Sequence, residues 1–249
     1  MFPYNGSLSK LALPYAYSQE TIREIQKMAS INGLEIIPLV QTFGHLEFAL
    51  KNPEFASLRE IPEKTDSVCP SEGRSVELIK EMLRQVRHLH PHAKTIHTGA
   101  DEAWWVGKDQ RCVERLENTF DGSLERLKLA HISRYAYSRF QYFLTKHSPF
   151  RTRIAAFAKE ELGFEKVLVW NDMFDKSPVE LLREYRMHEL VVPVVWGYVE
   201  GSWIVYVSQS PCQFTYGRCE HARLLRRRNV PPLPRGVQRH NACRGLQGG

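Results

Sequence analysis

Apolar positions along the first 200 residues change period repeatedly, from the three-to-four spacing of an amphipathic helix to short runs that suit a buried strand. Ser18 precedes Glu20, and Ile22, Ile25 and Met28 lie on one stripe that ends at Asn32-Gly33. This predicts a helix running from a serine cap to a glycine stop. Residues 34–40 are short, apolar and β-branched, and are predicted to be a buried parallel strand, with Pro38 unable to donate to a ladder. A second helix is expected from about Ser75, with Val76, Ile79, Met82, Val86 and Leu89 on one face, to Pro91. Residues 95–101 alternate. A strand there puts His97, Gly99 and Asp101 on one face and Ile96, Thr98 and Ala100 on the other. Helical spacing then runs over residues 111–161, with breaks at Asp121-Gly122 and Ser148-Pro149. Strands follow at 167–170 and 190–196, with a short helix at 178–187 between them.

This succession of strand and helix predicts an α/β fold with parallel strands in chain order. Four strands are legible where a closed (β/α)8 barrel has eight. A hydrophobic content of 43% and a charged content of 25% are ordinary for a globular domain. No run approaches the roughly 18 apolar residues of a membrane span, and the opening residues lack the basic and apolar regions of a secretory leader. Five cysteines, Cys69, Cys112, Cys212, Cys219 and Cys243, are odd in number and irregularly spaced, which suits free thiols in a reducing compartment. The expectation is a soluble chain of the cytoplasm or nucleus, with the Asn5-Gly6-Ser7 sequon a chance occurrence.

Charge is concentrated at one end. Residues 200–249 carry eight arginines, no lysine, and only Glu200 and Glu220, so they hold the whole net charge of +6 while residues 1–199 sum to zero. With four prolines and almost no periodicity after Val207, this stretch is expected to be a disordered basic tail outside the fold. Arg226, Arg227 and Arg228 lack interleaved aromatics, so neither a specific nucleic-acid partner nor a membrane is expected. His88, His90 and His92 fall at the predicted end of a helix, where histidine complements the dipole, and are read as structural.

Polar residues gather where three predicted strands end: Gln41 to His45, Asp101 to Trp105, and Trp170 to Asp172. In parallel α/β folds that rim is where active sites are built. Two neighbouring carboxylates do not ionise independently, and the one that keeps its proton can act as an acid. Tryptophan faces suit a sugar ring. The competing reading of Asp101-Glu102, a helix N-terminus favoured by the dipole, explains the pair but not its surroundings.

The run from His97 to Glu102 resembles the His-x-Gly-x-Asp-Glu signature of the family 20 β-N-acetylhexosaminidases. Pro38 to His45 resembles that family's preceding strand and Gly-His turn, and Trp170-Asn171-Asp172 and Val194-Val195-Trp196 its later tryptophan-bearing strands. The likeness covers roughly residues 1–198 and implies that residues 1–199 are part of a (β/α)8 (TIM) barrel, with 200–249 as the tail. It implies a glycoside hydrolase that releases terminal non-reducing GalNAc or GlcNAc from glycoconjugates by a substrate-assisted, retaining route. Glu102 is then the acid and base, and Asp101 orients the 2-acetamido group. His45, His97, Trp170, Asp172 and Trp196 bind substrate or support the pair, with no metal and no organic cofactor. Gln41 stands where many members carry a carboxylate, and strands beyond residue 198 have no counterpart. The alternative to an active enzyme is a non-catalytic fragment whose tail binds polyanions nonspecifically.

Overall fold

The computed structural model describes residues 2–133, 153–199 and 202–207. Helix α1 (Gln19–Ile31) begins where Ser18 Oγ accepts the amide of Thr21 at 3.1 Å and stops at Gly33, whose φ of 65° is left-handed. A single turn, α2 (Glu47–Leu50), leads towards α3 (Gly73–Leu89), which buries Val76, Ile79, Met82, Leu83 and Val86. His90 caps α3, its ring nitrogen Nδ1 lying 2.9 Å from the carbonyl of Val86, in keeping with the structural reading of that histidine.

After α3 come β1 (Thr95–His97), α4 (Gln110–Thr119), α5 (Leu124–Ile132) and α6 (Ile154–Ala156), the last running into a π turn at Phe157–Glu161. Then follow β2 (Lys166–Trp170), α7 (Val179–Glu184), α8 (Met187–Leu190), β3 (Val192–Val199) and β4 (Ser202–Val207). The first three strands are parallel and lie in chain order, with Ile96 opposite Val167 and Leu168 opposite Val192. Ile96, Val167 and Val169 are fully buried in a core shared with α3. Burying such side chains stabilises by roughly 1.5–3 kcal/mol each and holds the strand ends in place.

Several expectations meet a different geometry. Residues 34–40 run parallel to β1 but pair with its backbone through one bridge, Leu39 to His97, closed by Val40 N to His97 O and His97 N to Pro38 O, both at 2.9 Å. Pro38 thus takes part by its carbonyl alone. Only Val40 of the run is buried: Leu34 is 66%, Ile37 43% and Leu39 50% exposed. The strand predicted over 95–101 ends at His97, because Gly99, Ala100 and Glu102 have φ of 60°, 69° and 50°. Alternation of faces therefore does not carry on to Asp101. β4 lies in the stretch assigned to the tail and pairs antiparallel with β3, Trp196 opposite Val205. The break at Asp121-Gly122 appears as two left-handed residues between α4 and α5. The break at Ser148-Pro149 and the tail beyond Val207 lie outside the described residues. Among the described residues no helix is long and apolar enough to cross a membrane.

Candidate active site

Two loops build the rim around the carboxylates. Residues 41–45 leave the strand-like segment before β1, and Thr42 ties them to the other loop by donating its hydroxyl to Thr98 O at 2.8 Å. From behind, fully buried His131 on α5 donates from Nε2 to Thr42 O at 2.8 Å, with its ring 4.3 Å from that of Phe43. Gly44 is needed by contact rather than by backbone angle. A Cβ there would lie 2.1 Å from Asp101 O and 3.0 Å from Ala103 N, so only a residue without a side chain lets the two loops meet.

The second loop follows β1 and turns through the left-handed residues Gly99, Ala100 and Glu102. Such angles cost a residue with a Cβ on the order of 1–3 kcal/mol and persist where the surroundings over-determine them. Three contacts do so here. Ala100 N donates to Gln41 Oε1 at 3.2 Å, Glu102 N donates to Asp172 Oδ2 at 2.9 Å, and Gly99 N donates to His97 Nδ1 at 2.9 Å.

Asp101 and Glu102 come out of this turn in unlike surroundings. Asp101, with its side chain 16% exposed, accepts from Gln41 Nε2 at 3.1 Å through Oδ1 and faces His45 Nε2 at 3.3 Å through Oδ2. Glu102, 36% exposed, faces the same His45 nitrogen at 3.2 Å through Oε2. The imidazole therefore stands between the two carboxylates, one pinned and one open to solvent.

Asp172, at the end of β2, uses both oxygens as a brace: Oδ2 for Glu102 N, and Oδ1 for the indole Nε1 of Trp196 at 3.3 Å. Burial pushes its carboxyl above the usual aspartate range, against these two donors. His97 packs at 4.6 Å on Trp170. Burial pushes its pKa down to about 4, so it is neutral at pH 7, with Nδ1 accepting and the proton on Nε2. Nε2 is buried and without a hydrogen-bond partner among the described residues. Trp104 and Trp105 lie elsewhere: Trp104 is 64% exposed, and Trp105 sits under the Lys64 ammonium at 5.1 Å.

His45, His97, Asp101, Glu102, Trp170, Asp172 and Trp196 are thus on or beside this rim, although His97 and Asp172 are occupied in holding backbone rather than free. Three participants were assigned no role from the sequence. Gln41 stood out only as a departure from the family pattern, yet it holds Asp101 and the turn together. Thr42 and His131 act through a contact spanning 89 positions of sequence, which no local motif reports.

The comparisons with known proteins agree with this geometry. Residues 6–204 match the model of the glycosyl hydrolase family 20 catalytic domain. The chain is similar to hexosaminidase D of Homo sapiens, 36% identical over 198 residues, covering 80% of this chain and 37% of that protein. It is equally similar, 36% over 198 residues, to hexosaminidase D of Bos taurus, covering 51% of it. The chain therefore spans between about a third and a half of these relatives. Among solved structures it is similar to the β-N-acetylhexosaminidase of Bacteroides fragilis, with TM-score 0.48, 19% identity, and 72% of this chain against 36% of that one. The exo-β-N-acetylglucosaminidase of Vibrio harveyi matches with TM-score 0.48 and 21% identity over 72% of this chain and 28% of that one. The parallel strands of residues 95–199 are an arc of a (β/α)8 barrel, and the chain belongs to glycosyl hydrolase family 20 through its catalytic domain.

Proposed function

We propose that this chain serves a β-N-acetylhexosaminidase that removes terminal non-reducing N-acetylhexosamine from glycoconjugates by a substrate-assisted, retaining mechanism. The observation that carries the reading is the division between two adjacent carboxylates. Asp101 is pinned by Gln41 and half enclosed, while Glu102 is open to solvent, and His45 touches both. A pinned carboxylate can orient and polarise the substrate's 2-acetamido group, whose oxygen attacks the anomeric carbon in place of an enzymic nucleophile. An exposed one can give its proton to the leaving oxygen and then take one from the water that opens the oxazoline. His45, with Nε2 within 3.3 Å of both, holds them in register. Trp170, at the end of β2, and Trp196, within β3, offer flat faces to the sugar. The names of the hexosaminidase D relatives support the substrate class.

Turnover of aryl β-N-acetylhexosaminides with good and poor leaving groups tests the roles. Glu102→Gln is expected to lower the rate on poor leaving groups on the order of 10²–10⁴-fold and to spare nitrophenyl substrates, since a nitrophenolate departs with little help. Asp101→Asn is expected to impair both. Equal losses on both substrates for Glu102→Gln, or near-parental rates for Asp101→Asn, would show that the roles are misassigned.

A further inference from the structure

A second cluster of reactive side chains lies at the foot of the loop that follows Asp101-Glu102. Residues 59 and 68 form a small antiparallel bridge, and Glu60 and Cys69 project from its two sides. Glu60 N donates to Ser67 O at 3.0 Å, and Cys69 N to Leu58 O at 2.8 Å. Cys112 enters from the first turn of α4. All three are buried, Glu60 to 1% exposure and both thiols fully. Glu60 Oε1 accepts the consecutive amides of Gly107, Lys108 and Asp109 at 2.7, 2.7 and 2.9 Å, while Oε2 is directed at Cys112 Sγ, 3.4 Å away. Cys69 Sγ stands 3.6 Å from Cys112 Sγ, and one oxygen of Glu60 and both sulfurs lie within 4.8 Å of one another.

We propose that Glu60, Cys69 and Cys112 form a structural binding site for a thiophilic divalent cation of the zinc class. Two of the three edges between the ligand atoms have the lengths of a tetrahedral shell, and the third is within 4.8 Å. Metal–sulfur bonds of about 2.3 Å and a metal–oxygen bond of about 2.0 Å, opened to the tetrahedral angle, give edges of about 3.8 Å between sulfurs and about 3.5 Å between sulfur and oxygen. The edges found are 3.6 and 3.4 Å. A thiol pair with a carboxylate suits zinc better than calcium or magnesium, which take oxygen ligands alone. Ser71, partly exposed with its hydroxyl 3.0 Å from Cys112 Sγ, is the candidate for a fourth ligand.

The three amides on Glu60 Oε1 fix the carboxylate from outside, as hydrogen bonds to metal ligands do. Binding converts two thiols to thiolates and releases two protons. Because those protons must leave, affinity rises with pH. A bound cation would clamp the bridge at 59–68, the loop at 107–109 and the start of α4 into one unit just beyond the catalytic turn.

The test uses the full chain with Cys212, Cys219 and Cys243 each changed to Ser, so that Cys69 and Cys112 are the remaining thiols, reduced with a phosphine and titrated with cobalt(II). The expected result is one equivalent bound with an intense thiolate-to-cobalt charge-transfer band and tetrahedral d–d bands, displaced by zinc. The band should be lost in Cys69→Ser and Cys112→Ser, and binding weakened at least about 10-fold in Glu60→Gln. A second measurement does not depend on these variants folding: zinc should slow alkylation of Cys69 and Cys112, read by mass spectrometry, and raise the melting temperature. The proposal is overturned if the tail-substituted protein shows no charge-transfer band, if the band survives both single serine variants, or if both thiols alkylate at the same rate with and without zinc.

Discussion

His131 sets a measurable dependence of stability on pH. It is 1% exposed, and burial, aided by the charges of Arg153 and Arg115, pushes its pKa from 6.5 down to about 3 against the favourable bond to Thr42 O. In the unfolded chain the same imidazole takes up a proton near pH 6.5. Above pH 6.5 both states are neutral and the folded state has its full stability. As pH falls below 6.5 the unfolded state binds a proton that the folded state refuses, and stability is lost at about 1.4 kcal/mol per pH unit until pH reaches about 3. Between pH 7.5 and pH 5 this one residue accounts for about 2 kcal/mol, out of about 5 kcal/mol over the whole window. His131→Gln keeps an amide that can donate to Thr42 O and has no proton to gain. Urea unfolding followed by circular dichroism at both pH values, on parent and variant, isolates the effect, since His97 titrates in both and cancels. The parent should lose about 2 kcal/mol more than the variant on acidification. Equal losses in the two proteins would refute the assignment of a buried, neutral His131.

Gln41→Ala removes the donor to Asp101 Oδ1 and the acceptor for Ala100 N. Turnover is expected to fall on the order of 10²-fold with a stability loss of about 1–3 kcal/mol, and unchanged turnover at normal stability would take Gln41 out of the machinery. Gly44→Ala drives a methyl into the main chain of residues 101–103 and should cost about 1–3 kcal/mol in thermal or urea unfolding, together with most of the activity. A variant as stable and active as the parent would mean that the loops do not touch there.

Features that depend on near neighbours could be read from the sequence. The cap at Ser18, the stop at Gly33 and the left-handed break at Asp121-Gly122 are local choices made by the residues themselves. Residues 34–40 misled because a β-branched run records what the segment can pair with. How much cover it receives is set by other parts of the fold, and Leu34 and Leu39 remain exposed. The alternation read through His97, Gly99 and Asp101 failed at Ala100 and Glu102, where side-chain-bearing residues take positive φ under hydrogen bonds from positions 41 and 172. No propensity marks such a residue. Within the site, the carboxylate pair and His45 were legible through their motifs, whereas His131 and the Glu60–Cys69–Cys112 cluster were not. Their partners are brought together by packing across 89, 43 and 52 positions.

The two glycines of the rim face different futures under sequence drift. Gly99 is hemmed in by the side chain of Gln41, whose Oε1 would lie 1.9 Å from an added Cβ, so a shorter residue at 41 would reopen that space and leave only the left-handed angle to be tolerated. In steric terms a residue larger than glycine at 99 therefore requires a shorter one at 41, and that change gives up the bonds Gln41 makes to Asp101 and Ala100. Gly44 meets the carbonyl oxygen of residue 101, an atom that every amino acid carries. No second substitution can remove it, so position 44 has no compensating partner anywhere in the chain.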